Sequence, residues 1–128
     1  MKNIGRIVLP IIILLLTVRI NAVPVKAFDM IVRNLPNSEQ LPTKELLCIF
    51  QDSEGYMWYG TEGGGLCRDD GYMVKVFRSD FKNPGILENN SVTCITEDGE
   101  GKIWFGTKRG AYILSKTDYE IRALADET

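Results

Sequence analysis

Apolar and polar positions alternate along this chain in short runs, and the runs come in matching pairs. Leu46–Gln51 and Val92–Glu97 are short, rich in apolar or β-branched residues, and read as strands. Each ends in a turn signal, Asp52-Ser53-Glu54-Gly55 in the first case and Asp98-Gly99-Glu100-Gly101 in the second. Residues 56–61 and 102–107 then return as the second strands of two hairpins. A period of two puts Met57, Tyr59, Ile103 and Phe105 on one face and Trp58 and Trp104 on the other. Third strands are predicted over 65–68 and 111–115, and fourth strands over 73–77 and 119–124. Turns around Asp69-Asp70-Gly71 and Lys116-Thr117-Asp118 connect them. Residues 79–90, with Asn83-Pro84-Gly85 as a breaker, join the two sets. No helix is expected beyond residue 22.

The pairing is a true internal repeat. Residues 48–61 superimpose on 94–107 at an offset of 46 residues with no gap. Cys, Ile, Asp, Gly, Trp, Gly and Thr recur, and Phe105 replaces Tyr59 in kind. Gly64 and Gly110 keep the same offset. A period of this length exceeds a leucine-rich or ankyrin repeat and fits one four-stranded β-propeller blade. Asp at the start of each turn accepts backbone N–H bonds two residues on, and Gly at its end takes positive φ without a β-carbon clash. Gly60 and Gly106 lie inside strands, where glycine marks a close approach by a neighbouring strand or large side chain.

Composition narrows the functions open to such a fold. With 45% hydrophobic and 25% charged residues, the chain is globular in type rather than disordered. Residues 1–22 hold Lys2, Arg6 and Arg19 and no acid, which leaves 12 basic against 17 acidic residues in the remainder. An acidic domain offers no basic face for phosphates, so nucleic acid is not an expected partner. There is no histidine. That excludes Ser-His-Asp and Cys-His catalysis, His-bearing zinc sites and a phosphoacceptor histidine within these residues. Cys48, Cys67 and Cys94 are odd in number and widely spaced, neither a zinc pattern nor a disulfide scaffold. They are expected as small buried side chains. A Cys48–Cys94 bridge stays open in an oxidising compartment, against the tight Cβ distance a disulfide demands.

Sharper chemical readings of the repeat residues do not hold. An EF-hand loop needs an acid at its twelfth position, and counting from Asp52 or Asp98 that place falls on Gly63 or Arg109. A glycosidase pair would not recur once per repeat as these carboxylates do. Gly63-Gly64-Gly65 lacks the Lys-Ser or Lys-Thr of a phosphate loop. Trp58 and Trp104 occupy one repeat position, which favours packing between blades over sugar stacking. Asn89-Asn90-Ser91 is a formal glycosylation sequon that matters only in a eukaryotic secretory route. No catalytic residue, cofactor or metal is therefore expected.

Residues 1–22 have the form of a secretory signal peptide. Lys2 and Arg6 precede a twelve-residue run, 7–18, interrupted only by Pro10 and Thr17, and Ile20-Asn21-Ala22 ends on a small residue. A membrane span needs about 20 apolar residues, and Arg19 comes too early for one. Val25-Lys26-Ala27 is a second cleavage pattern. The expected organisation is a helical leader over 1–22, a lead-in over 23–40, one blade over 41–82 and another over 83–128, with a periplasmic or extracytoplasmic location. The fold class expected is all-β, two four-stranded antiparallel blades of an incomplete propeller.

The repeat resembles that of two-component regulator propellers. The family pattern runs from an apolar strand through Asp-x-x-Gly-x-φ-Trp-φ-Gly-Thr to a Gly-Leu pair, where φ is apolar or aromatic. Asp52, Gly55, Trp58, Gly60, Thr61 and Gly65-Leu66 follow it throughout. Asp98, Gly101, Trp104, Gly106 and Thr107 follow it up to a degraded Gly110-Ala111-Tyr112. The resemblance spans roughly 28 to 124. It implies the extracytoplasmic end of a hybrid sensor histidine kinase whose kinase module is absent here and whose ligands are glycan-derived. Implied partners are an oligosaccharide and further blades of the parent sensor, or self-association, with membrane contact only through the leader or a missing downstream span. The alternatives are part of a secreted propeller enzyme acting on polysaccharide, or a non-functional truncated remnant.

Overall fold

A computed structural model describes residues 33–124, together with Ile12 and Ile13, which are helical. The rest of the expected leader, and the lead-in before residue 33, lie outside the described residues. Eight strands follow one another: β1 (Leu46–Gln51), β2 (Met57–Thr61), β3 (Leu66–Asp69), β4 (Val74–Phe77), β5 (Val92–Glu97), β6 (Ile103–Thr107), β7 (Gly110–Leu114) and β8 (Ile121–Ala123). They form two four-stranded antiparallel sheets in the orders β1-β2-β3-β4 and β5-β6-β7-β8. The all-β expectation of two four-stranded units holds. A short 3-10 turn over Ser38–Gln40 precedes the first sheet.

The registers of the two sheets repeat. Cys48 faces Gly60 and Phe50 faces Trp58, as Cys94 faces Gly106 and Thr96 faces Trp104. Both first strands carry an irregularity at the same place, between Leu46 and Cys48 and between Val92 and Cys94. Two connections differ. Gly65 O accepts from Thr61 Oγ1 at 2.8 Å, and the matching bond in the second sheet runs from Thr107 Oγ1 to Gly110 O at 3.2 Å. Gly110 is thus the counterpart of Gly65, not of Gly64 as the constant offset suggested, because the β6–β7 turn is one residue shorter. The β7–β8 loop is two residues longer than β3–β4, since Leu114 pairs with Ile121 where Asp69 pairs with Val74.

Antiparallel register assigns the side chains to faces. Trp58, Leu66 and Phe77 point from the first sheet towards the second. Ile103, Phe105, Tyr112 and Leu114 point back, and Leu87 and Val92 complete one buried cluster. Trp58, Leu66, Ile103, Leu114 and Val92 are fully buried. Each such side chain contributes roughly 1.5–3 kcal/mol when taken from water, so this seam is the core of the described residues.

Candidate functional site

The repeat motif builds one polar device twice. Asp52 Oδ1 accepts from the backbone N–H groups of Glu54 and Tyr56, both at 3.0 Å, and Gly55 closes the turn at φ 89°. The other oxygen, Oδ2, accepts the Trp58 indole N–H at 2.8 Å. Asp98 repeats this with Glu100, Lys102 and Trp104, the last at 2.7 Å, and Gly101 lies at φ 79°. The carboxylate is what lets an indole N–H enter the core with a partner. Burial raises the proton affinity of Asp52, but the indole, the two amides and Lys116 outweigh it and hold the carboxyl below the ordinary range. The Trp104 indole leads the donors that lower Asp98.

The two devices differ in what lies beyond them. Lys116, in the longer β7–β8 loop, sets its Nζ 3.5 Å from Asp52, 3.2 Å from Glu54 and 3.3 Å from Glu97. Ser53 donates its backbone N–H to Glu97 Oε2 at 2.7 Å and its hydroxyl to Oε1. One cation and two donors therefore tie three carboxylates into a clasp across the seam. The Ser53 donors and Lys116 lower the Glu97 carboxyl, while Glu54, Glu97 and Asp52 raise Lys116 against the effect of its burial.

A second contact from the same loop closes the outer part of the seam. Tyr119 adopts φ 61°, a left-handed conformation costly for a bulky residue. Its ring packs on Phe77 with 5.6 Å between centroids, and its hydroxyl accepts from Arg68. Arg68 stacks on both Tyr56 and Tyr119, and Lys75 Nζ lies 3.7 Å above the Tyr119 ring. Beside it a cleft of about 620 Å³ opens between the sheets, lined by Phe77, Tyr112, Tyr119, Arg109, Arg122 and Glu88.

Sequence reasoning gave the motif residues a turn and packing role. It did not foresee that Asp and Trp of one repeat bond to each other, nor that Lys116 and Tyr119 face the first sheet. The extra loop length was the available signal. All three cysteines are free thiols, so no Cys48–Cys94 bridge forms. Cys67 is buried, and burial pushes its thiol up to about 12. Cys94 is exposed, against the expectation that it is buried, because among the described residues no sheet covers the face it occupies. Among the described residues no group of three His, Cys, Asp or Glu is placed to hold a metal.

Two consecutive four-stranded meanders, packed face to face and built on one motif, define a β-propeller repeat architecture. Residues 40–63 and 86–109 each match the family described as two component regulator propeller, and the chain carries two copies of that repeat. Among curated proteins, none matches the chain significantly. The matched repeat is a structural unit, not a catalytic one, in keeping with carboxylates committed to turns and a clasp.

Proposed function

We propose that these two blades form part of the sensing propeller of a two-component signalling protein, that they work outside the cytoplasm, and that their ligand is a glycan-derived oligosaccharide. The double match to the two component regulator propeller family carries this reading. The basic, then apolar, then small-residue pattern of 1–22 supports export. With no histidine in the 128 residues, a phosphoacceptor histidine belongs to a separate kinase module. The chain's part is then to bind and to transmit strain between blades, not to transform its ligand.

Half-buried Trp104 supplies the optical probe, with fully buried Trp58 as the internal contrast. The full chain is titrated with oligosaccharides from digests of several polysaccharides while tryptophan emission is followed. A saturable change with one class of oligosaccharide is expected. No response across the panel, together with cytoplasmic retention of a reporter fused behind residue 27, removes the reading.

A further inference from the structure

The cleft beside Tyr119 has both of its walls among the described residues. Phe77 and the connection at Ile86 and Glu88 form one side, and Tyr112, Tyr119 and Ile121 of the second blade form the other. Its form therefore does not depend on what adjoins the outer faces of the pair. At about 620 Å³ it has the size of a small-molecule site. Arg109, in the β6–β7 turn, also lines it, and both Arg109 and Glu88 are exposed. Their backbone N–H groups donate to Thr107 Oγ1 and to the Tyr112 hydroxyl. Neither the guanidinium nor the carboxylate has a hydrogen-bond or ion-pair partner among the described residues. The residues that shape the cleft also break the repeat. Phe105 pairs with Tyr112 and Tyr112 with Ala123, where Tyr59 pairs with Cys67 and Cys67 with Val76. Tyr112 thus stands where the first blade has a cysteine. At the repeat offset Glu88 replaces Pro42 and Arg109 replaces Gly63, and Tyr119 lies in the longer loop. Side chains that hold a blade together recur, as Asp52 and Asp98 do; these do not. Tyr119 is moreover held at φ 61°, and backbone strain of this kind collects at ligand sites.

Building on the reading of the chain as a glycan-binding module, we infer that this cleft is its saccharide site and that the saccharide is uncharged. Fixed charges of both signs decide the second point. An anion is drawn by Arg109 but repelled by Glu88, and a cation meets the reverse. A wholly apolar ligand buries a carboxylate and a guanidinium without partners, which is costly. A ring of hydroxyls donates to Glu88 and accepts from Arg109 while bringing no charge of its own. The Tyr112 and Tyr119 hydroxyls, which accept from Glu88 N–H and from Arg68, each keep a hydrogen to donate. Phe77, Ile86 and Ile121 supply apolar wall for the C–H face of a sugar ring.

The test is calorimetric titration of the full chain with maltose, cellobiose, xylobiose, mannobiose and galactobiose. Digalacturonate and free phenylalanine serve as anionic and zwitterionic comparisons. Binding of at least one neutral disaccharide is expected, with both comparisons weaker. Glu88→Gln and Arg109→Gln each weaken that binding about tenfold, the worth of one hydrogen bond to a charged group. Both side chains are exposed and unpartnered among the described residues, so the two variants keep the parent's urea midpoint. Lys82→Gln, at an exposed position outside the cleft, keeps the parent's affinity. For an anion, Glu88→Gln acts the other way and tightens binding. A neutral disaccharide bound equally by the parent and both cleft variants overturns the inference and leaves the glycan reading standing. A preference for digalacturonate does the same. If no sugar binds, or phenylalanine alone does, the glycan reading falls and the inference falls with it.

Discussion

The carbonyl oxygen of Val92 stands 2.5 Å from where a β-carbon on Gly60 would lie. That distance is well inside van der Waals contact, and the oxygen belongs to the backbone of the neighbouring blade. The glycine is therefore a condition of blade-to-blade approach, and a single methyl group tests it.

Gly60→Ala is expected to destabilise the chain by roughly 3 kcal/mol, the upper part of the range for overpacking a close-packed site. Removing the Cys48 sulfur does not rescue it, since the carbonyl remains. Gly106→Ala meets only Cys94 Sγ, at 2.6 Å, and Cys94 is exposed. Its cost is smaller, and Cys94→Ala relieves it. Urea unfolding followed by tryptophan emission reads all four proteins.

Asp52→Ala strands the Trp58 indole and removes one carboxylate from Lys116. The Asp52 side chain is fully buried and Lys116 nearly so. Breaking such a pair costs about 3 kcal/mol. Asp98→Ala removes the same indole bond on the open face, where no ion pair forms with the carboxylate, and is milder. Equal losses at the two positions would show that the clasp contributes nothing.

Stability has a defined dependence on pH. Asp52, Glu97 and Asp98 have folded-state proton affinities below their unfolded ones. Their contribution is complete above the unfolded carboxylate values of about 4 and disappears as pH falls through the lower folded values. Lys116 is shifted upward, so its contribution is complete below about 10.4 and disappears as pH rises beyond the folded value. Denaturation midpoints flat from about pH 5 to 8 and falling on both sides are expected, the alkaline fall being shared by Lys116 and the thiols of Cys67 and Cys48, which are raised by burial. Lys116→Met removes only the lysine's part of that fall.

The thiols are ordered in reactivity. Cys94 is exposed, Cys48 is half-buried with its thiol raised by burial, and Cys67 is buried and pushed up to about 12. Thiolate is the reacting form. Alkylation at neutral pH, read by peptide mass, labels Cys94 first, and Cys67 only after denaturant is added.

The hairpins were legible in the sequence because their chemistry is local. Asp52 to Gly55 forms a turn through its own side chain and backbone, β1 alternates in burial as its pattern requires, and β5 does so from Cys94 onward. Strand ends were placed within one or two residues for the same reason. The seam was not legible, because it depends on loop lengths that differ between the copies. A constant offset aligns Gly110 with Gly64, and the strand registers and the Thr107–Gly110 hydrogen bond show that one residue fewer separates the strands. Lys116 looked like an ordinary turn residue, since nothing near it in sequence says that three carboxylates of β5 and the first turn surround it. Cys94 is expected inside because free cysteine is among the most buried residue types. Its exposure follows from the face it occupies, which no described sheet covers and which local pattern does not encode.

The longer β7–β8 loop gives the tandem an orientation. Lys116 and Tyr119 both reach backward over the preceding sheet, whereas the shorter β3–β4 loop, Asp70 to Met73, carries no lysine. Exchanging the two repeats in the gene would preserve every hairpin and every Asp–Trp bond, yet it would strip the joint of its cation and its aromatic strut. Duplication supplied two similar petals; two inserted residues made one of them the follower.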